Sequence, residues 1–209
     1  MLTLIIETAT AACSVALIER DHVVARLHEI VGRGHAERLV PMIAELPGGG
    51  RAARIMVDCG PGSFTGIRVG IAAARGLALG WGMPVTGYSS LALVAAAALA
   101  ARPELRRVAA VLEGGHGEVF MQIFDATLLP LGDLASLTPQ AAVVRLDGLP
   151  AFGSGAARLL AVDPVLDVTQ TLPDAGDAWR LPPQLAALSP RPLYGRAPDA
   201  KIAPGIAET

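Results

Sequence analysis

The feature that most constrains the fold of this chain is an imperfect internal repeat. In the first copy, an apolar run at residues 4–6 ends in Glu7, and a turn of small residues leads to a second apolar run. In the second copy, residues 108–112 end in Glu113, and a glycine-rich turn at residues 114–117 again leads to an apolar run. Two copies of a strand, acid, turn and strand unit predict two lobes of the same topology.

Around this repeat, hydrophobic patterns of period two alternate with patterns of period 3.6, which is typical of mixed sheets covered by helices. In the first half we predict strands at residues 2–7, 13–18, 22–29, 53–58 and 84–87 and helices at 37–46, 65–79 and 89–101. In the second half we predict strands at 108–112, 118–124 and 149–152 and helices at 139–145, just after Gly155, and at 177–188. The predicted α/β chain thus has a lobe at 1–103, a smaller lobe at 104–190 and an extended tail at 191–209.

Composition excludes several kinds of site. The longest apolar run, residues 91–101, is far shorter than the about 20 residues that cross a bilayer. The net charge of -2 offers no positive excess to bind a nucleic-acid backbone. Lys201 is the only lysine, which excludes a phosphate-loop lysine and a core Schiff base. We therefore expect a soluble, cytoplasmic protein with no membrane span and no RNA binding of its own.

No residue set predicts a catalytic or metal centre. None of the four histidines stands four residues from another, as helical metal ligands require. Cys13 and Cys59 lie in apolar segments and are expected to be buried and reduced. His35, at a candidate helix start, is expected to make a surface hydrogen bond. We predict no catalytic residue and no metal site.

The strongest local signal is the glycine-rich segment 60–68, which lies between a predicted strand and a predicted helix. Amides at the helix start, together with Ser63, Thr65 and Gly66, offer an anion such as phosphate a place to bind. The alternative is structural, with Ser63 or Thr65 capping the helix and the glycines allowing tight packing. Because no G-K-[ST] ending follows, the segment is not a Walker A loop.

The helices at 37–46 and 65–79 have apolar residues on more than one side. We expect one face of this pair to cover the sheet and the other to contact a partner protein, although an ordinary core role explains the pattern as well. The predicted partner interface consists of Leu39, Met42, Ile43, Leu46, Arg68, Ile71, Ala72, Arg75 and Leu79.

Glu7 and Glu113 occupy equivalent points of the repeat, at the ends of strands. Such acids are able to face a cleft between lobes and to position a metal-bound nucleotide, and a carboxylate that caps a turn explains each equally well. The alternative function is therefore a two-lobe ATPase or small-molecule kinase with its own Mg-ATP site, which uses Glu7, Glu113 and the turn at 63–66.

Several segments resemble the TsaB (YeaZ) family, the bacterial dimerization subunit of the tRNA threonylcarbamoyladenosine machinery. The resemblance is carried by residues 34–41 (GHAERLVP), 60–70 (GPGSFTGIRVG), 75–78 (RGLA) and 192–201 (PLYGRAPDAK). It covers the first lobe and the tail well and the second lobe only by topology.

The resemblance implies a duplicated, two-lobe fold of the actin, Hsp70 and ribonuclease H-like kind. It implies a non-catalytic subunit that pairs with the paralogue TsaD and activates it for threonylcarbamoyl transfer to the tRNA adenosine next to the anticodon. Within this machinery TsaE supplies ATPase activity, so Mg-ATP is expected only in the assembled complex and tRNA contact only through it. The pairing surface of the family matches the two helices named above, and a homodimer is expected when TsaD is absent.

The chain departs from the family pattern at two points. Glu7 stands where the family usually has aspartate, and residues 113–115 stand where an Asp-Ala-Arg run is common. These departures reduce the expectation of a private nucleotide site.

Overall fold

A computed structural model describes residues 1–193 of the chain, so the predicted tail segment from residue 194 onward lies outside the described residues. The described part forms two five-stranded sheets with helices on their faces. The first half contains the strands β1 Leu2–Glu7, β2 Ala12–Glu19, β3 His22–Ile30, β4 Arg54–Asp58 and β5 Val85–Tyr88. Its helices are α1 His35–Glu45, α2 Phe64–Trp81 and α3 Ser90–Ala101, with a short 3₁₀ helix at Pro47–Gly50.

The second half repeats this plan in a smaller form. Its strands are β6 Arg107–Glu113, β7 Val119–Asp125, β8 Ala135–Leu137, β9 Ala151–Phe152 and β10 Val168–Thr169. Its helices are α4 Pro139–Leu146 and α5 Ala156–Leu160, and 3₁₀ helices lie at Gly115–Gly117 and Ala175–Arg180.

The predicted duplication is confirmed by the strand order. The first sheet runs β3-β2-β1-β4-β5, and the second runs β8-β7-β6-β9-β10, which is the same order in the second set of strands. In both sheets the first two strands pair antiparallel and the first and fourth pair parallel. The fold is therefore a duplicated two-lobe α/β fold. The domain bounds at residues 103 and 190 remain a prediction.

Two predictions for the second half were wrong or incomplete. The expected helix at 177–188 is only the 3₁₀ helix Ala175–Arg180, because Pro182 and Pro183 lack the amide hydrogens and the backbone freedom that a longer helix needs. The short strands β8 and β10 were not predicted, since three and two residues carry no readable period.

The two sheets share one inner core. The outer face of the first sheet is covered by α1 and α2, and the outer face of the second sheet packs with residues of α4 and α5. Between the sheets, α3 packs on β6 and β7, while the 3₁₀ helix Ala175–Arg180 packs on β1, β2 and β3. Each sheet is therefore covered on its inner face by an element from the other half of the chain.

Candidate functional site

Two buried carboxyl groups lie side by side at one end of the first sheet. Glu7 ends β1 and Asp58 ends β4, and these strands are parallel neighbours. Both residues are fully buried. Alternation along each strand places Glu7 on the same face as Ile5, and Asp58 on the same face as Met56, and that face belongs to the inner core.

The carboxyl group of Glu7 is held by groups of its own chain. The amide of Ala9 donates to Oε1 at 2.9 Å. The hydroxyl of Tyr88 lies 3.2 Å from Oε2 and donates to the carbonyl oxygen of Ile6 at 2.9 Å. Burial, followed by the negative charge of Asp58, raises the pKa of Glu7 well above its ordinary value. Glu7 therefore favours its protonated form in this environment.

Asp58 was missed by the sequence analysis, although it ends an apolar strand just as Glu7 does. Its Oδ1 accepts hydrogen bonds from the amide of Gly60 at 2.6 Å and from the hydroxyl of Ser90. Its buried Oδ2 has no hydrogen-bond partner among residues 1–193. Burial raises the pKa of Asp58 to about 7, against the bonds from Ser90 and Gly60, which lower it. Both carboxyl groups therefore favour the protonated form more strongly than an exposed acid does, in a site closed to solvent.

Glu113, the counterpart of Glu7 in the second lobe, has a different environment. Its side chain is about half exposed and pairs with Arg158, whose Nε lies 3.1 Å from Oε1. The backbone amide of Glu113 donates a hydrogen bond to the hydroxyl oxygen of Ser154 at 3.1 Å. The two equivalent acids therefore differ in exposure and in partners.

The glycine-rich segment before α2 packs directly on the turn between β1 and β2. Ser63 is the N-cap of α2, because its Oγ accepts a hydrogen bond from the amide of Gly66 at 3.2 Å. A Cβ atom on Gly62 or on Gly66 would stand 2.1 Å from the carbonyl oxygen of Ala9 or of Thr8, respectively. The capping and close-packing interpretation of this segment is therefore seen directly, while the side chain of Thr65 is exposed.

The expected exposure of part of the partner interface was wrong. Five of its nine residues are buried in the core between the first sheet and the two helices: Leu39, Met42, Ile43, Leu46 and Ile71. These side chains are buried because the outer face of the first sheet is apolar and must be covered, and the apolar stripes of α1 and α2 cover it.

The other four predicted interface residues lie on the exposed side of α2: Arg68, Ala72, Arg75 and Leu79. The guanidinium of Arg68 lies over the ring of Phe64, 3.6 Å from its centroid. The guanidinium of Arg75 donates to the carbonyl oxygen of Pro190 at 2.6 Å. Leu79 is 87% exposed, a large apolar side chain with little cover from the described residues. We call these four residues the outer face of α2.

His35 begins α1 as expected but is buried rather than at the surface, and its Nε2 lies 3.1 Å from the carbonyl oxygen of Ala12. Within residues 1–193, no three His, Cys, Asp or Glu side chains are arranged to hold a metal ion. None of the helices in that part of the chain has the length and apolar character that a membrane crossing demands.

Comparison with known proteins places the chain in a family. The family model described as TsaD, tRNA N6-adenosine threonylcarbamoyltransferase, matches residues 27–135, which is just over half of the chain. The TsaB proteins of Haemophilus influenzae and Escherichia coli, both described as tRNA threonylcarbamoyladenosine biosynthesis proteins, are each 38% identical to it. These alignments cover 56% and 57% of this chain, which spans about half of each relative, 51% and 53%.

Solved structures extend the likeness to nearly the whole chain. YeaZ from Pseudomonas aeruginosa superposes with a TM-score of 0.75 at 29% identity, covering 92% of this chain and 99% of that one. The ethanolamine utilization protein EutJ from Carboxydothermus hydrogenoformans shares the fold alone, with a TM-score of 0.52 at 10% identity. The duplicated sheets are those of the actin-like two-lobe fold, and the chain belongs to the TsaB (YeaZ) family.

Proposed function

We propose that this protein is a non-catalytic subunit of the machinery that makes threonylcarbamoyladenosine in tRNA. The relatives that support the proposal are named as biosynthesis proteins of this modification. In the proposed role the chain pairs with a TsaD-type paralogue and activates it for threonylcarbamoyl transfer to the adenosine next to the anticodon. The observation that carries the proposal is the exposed outer face of α2. It is supported by the burial of Glu7 and Asp58, which bond to groups of the chain itself.

The buried acids argue for a partner role over an enzymatic one. Glu7 would have to leave its bonds with Ala9 and Tyr88 before it reached a metal-bound nucleotide. Ser63 caps α2, and the glycines beside it lie against carbonyl oxygens of the turn before β2. An ATPase or kinase that uses these groups would need all of them free at once.

The outer face of α2 offers a partner two cations and, toward the end of the helix, an apolar anchor. Leu79 is 87% exposed, and the small side chain of Ala72 leaves room for the close approach of a second helix. Among the described residues of α2 there is no acidic side chain, so Arg68 and Arg75 favour a partner surface that carries carboxylates. In the absence of TsaD the same face would pair with a second copy, which gives a homodimer.

The remaining parts of the proposal concern the assembled complex. Mg-ATP binds only there, with TsaE as the ATPase, and tRNA is contacted through the complex. The net charge of -2 supports this division of labour, because the isolated chain has little electrostatic attraction for a nucleic acid.

The test is coexpression with a TsaD protein, followed by gel filtration of the wild type and of Leu79→Asp. Burying an aspartate in place of a leucine removes about 1.5–3 kcal/mol of apolar contact and adds a charge, so we expect at least about tenfold weaker pairing. The matched control is Val144→Asp on α4, since Val144 is 81% exposed on a helix of the other lobe. Coelution should survive in the control and be lost in the α2 variant.

Independent elution of the two wild-type proteins at micromolar concentration would contradict the pairing. Equal loss of pairing in both variants would place the contact elsewhere on the chain. Ile71 is unsuitable for this test because it is 5% exposed, and a charge there would disturb the core before it disturbed an interface.

A further inference from the structure

A row of polar side chains crosses all five strands at one end of the first sheet. The strand registers pair Glu7 with Ser14, Ser14 with His28, and Asp58 with Tyr88, and β1 lies beside β4. All five residues face the inner side of the sheet, toward the second lobe. Four of the five are completely buried, and the side chain of His28 is 28% exposed.

This end of the sheet is where an open α/β sheet ordinarily takes a ligand. The parallel strands β1, β4 and β5 end here with their carboxyl termini, and crevices outside the carboxyl ends of parallel strands are the common ligand sites of such sheets. A cleft between two lobes is a common ligand site as well. What lies over the row therefore decides whether a ligand can reach it.

A segment from the far end of the chain covers the row. We call residues 172–181 the strap. The amide of Ala175 donates to Oγ of Ser14 at 3.0 Å, and Ser14 Oγ lies 3.4 Å from Oδ1 of Asp174. Oδ2 of Asp174 lies 3.5 Å from Nδ1 of His28 and 3.5 Å from a guanidinium nitrogen of Arg26. One carboxylate thus reaches two strands of the first sheet.

Asp174 also orders the strap itself. Its Oδ1 accepts a hydrogen bond from the amide of Gly176 at 2.8 Å, which makes it the N-cap of the 3₁₀ helix. Behind this cap, Ala175, Ala178 and Leu181 are buried in the inner core that both sheets share. The strap is therefore fixed by polar contacts at its start and by apolar burial along its length.

The position of the strap follows from the duplication. By chain order, the 3₁₀ helix after β10 is the counterpart of α3, which follows β5. Whereas α3 packs on the second sheet, the strap packs on the first, so the two halves exchange their covering elements. Moving the lobes apart would uncover apolar surface on both sheets at once, which is unfavourable.

We propose that the strap is a built-in lock, in which Asp174 takes the place of a ligand over the polar row and holds the two lobes in one arrangement without a bound nucleotide. An entering phosphate would have to displace the carboxylate of Asp174 from its contacts with Ser14, His28 and Arg26. The loss of these contacts opposes the binding of an anion at this end of the sheet. The lock concerns the isolated chain, and it goes beyond the role proposed in tRNA modification.

The test is hydrogen–deuterium exchange of the full chain, read by mass spectrometry on peptides from the strap, from β1–β2 and from β6–β7. The variant Asp174→Ala loses the cap and the carboxylate contacts across to β2 and β3, although the amide of Ala175 still donates to Ser14. We therefore expect strap amides to exchange at least about tenfold faster. Asp174→Asn keeps an oxygen for Gly176 and should give a smaller increase. The control, Asp167→Ala, removes an exposed acid that pairs with Arg102 and should leave strap exchange unchanged.

The same experiment includes the wild type with millimolar Mg-ATP, which should leave exchange in the strap and in β1–β2 unchanged. Three results would overturn the lock. The first is strap exchange in the wild type at the rate of an unprotected peptide, and the second is equal exchange in the wild type and in Asp174→Ala. The third is a change of strap exchange on adding Mg-ATP, which would show that a nucleotide reaches the row. If Asp174→Ala fails to fold, Asp174→Asn and the nucleotide arm decide alone.

Discussion

At the residue scale, the environment of Asp58 in the folded chain differs strongly from its environment in an unfolded chain. It is fully buried, one of its oxygens has no partner among the described residues, and its pKa rises from 3.8 to about 7. A group whose folded pKa is raised binds its proton more tightly in the folded chain. Its protonated form therefore supports the fold at low pH, and this support is lost as the pH rises toward about 7.

We expect Asp58→Asn to become more stable relative to the wild type as the pH rises from about 4 to about 7. The asparagine keeps an oxygen for the amide of Gly60 but has no charge to bury. The gain should be at most about 4 kcal/mol, the free energy that corresponds to a pKa rise from 3.8 to about 7. Urea unfolding of both proteins at several pH values gives this difference.

The comparison with the wild type at each pH removes the contributions of titrating groups that do not interact with Asp58. The contribution of Glu7 changes together with that of Asp58, because the charge of Asp58 raises the pKa of Glu7. Asp167→Asn serves as the control, because it makes the same chemical change at a side chain that is about half exposed. A difference between Asp58→Asn and wild type that is the same at pH 4 and pH 7 would show that Asp58 titrates normally.

At the scale of one element, α2 contains two kinds of glycine. Gly66 and Gly70 lie against the turn after β1, where an added Cβ would stand 2.1 Å from the carbonyl oxygen of Thr8 and 2.3 Å from its Oγ1, respectively. Gly76 and Gly80 have nothing within 4 Å of such an atom. The helix thus approaches the first strand closely at its start and faces open space near its end.

This difference predicts opposite effects for the same substitution. Gly66→Ala should destabilise the protein by about 1–3 kcal/mol or more, since backbone atoms of Thr8 would have to move. Gly76→Ala, the matched control in the same helix, should stabilise it by about 0.5–1 kcal/mol, because alanine restricts the unfolded chain and favours the helix. Thermal and urea unfolding of the two variants measure both effects. A loss of stability in both would mean that α2 does not have an open side.

At the scale of the whole molecule, the exchanged covering elements join the two lobes into one core. The buried residues of α3, including Leu93, contact a cluster that contains side chains from both sheets. Neither lobe keeps a complete inner face when the other unfolds. The lobes should therefore unfold together.

The chain's two tryptophans allow this to be measured, since Trp81 lies on α2 and Trp179 in the strap. In Trp179→Phe the fluorescence reports on α2, and in Trp81→Phe it reports on the strap. Within each variant, we expect the urea unfolding transition followed by fluorescence to have the same midpoint as the transition followed by circular dichroism. Adding Leu93→Ala should lower the free energy of unfolding by about 2–5 kcal/mol, and both tryptophans should report the same decrease. Two separated transitions would show lobes that unfold independently.

The sequence by itself determined the repeat and most strands and helices of both lobes. It offered Ser63 or Thr65 as the cap of α2, and the structure shows that Ser63 is the cap. These are local properties, because period, capping and turn residues act over a few positions along the chain. The bounds of β1 were predicted to the residue, and those of α2 to within two residues. The proline pair at 182 and 183 was also a local signal, and it explains the one long helix that did not form.

Only the tertiary structure decided which apolar stripe of each helix is buried. Leu39 and Ile71 face the sheet while Leu79 faces outward, and all three fit an amphipathic pattern equally well. The proximity of Glu7 to Asp58 and of Asp174 to Ser14 was equally hidden, since those residues are 51 and 160 positions apart in the chain. Strand pairing and the exchange of covering elements bring them together, and such long-range packing leaves no period in the sequence.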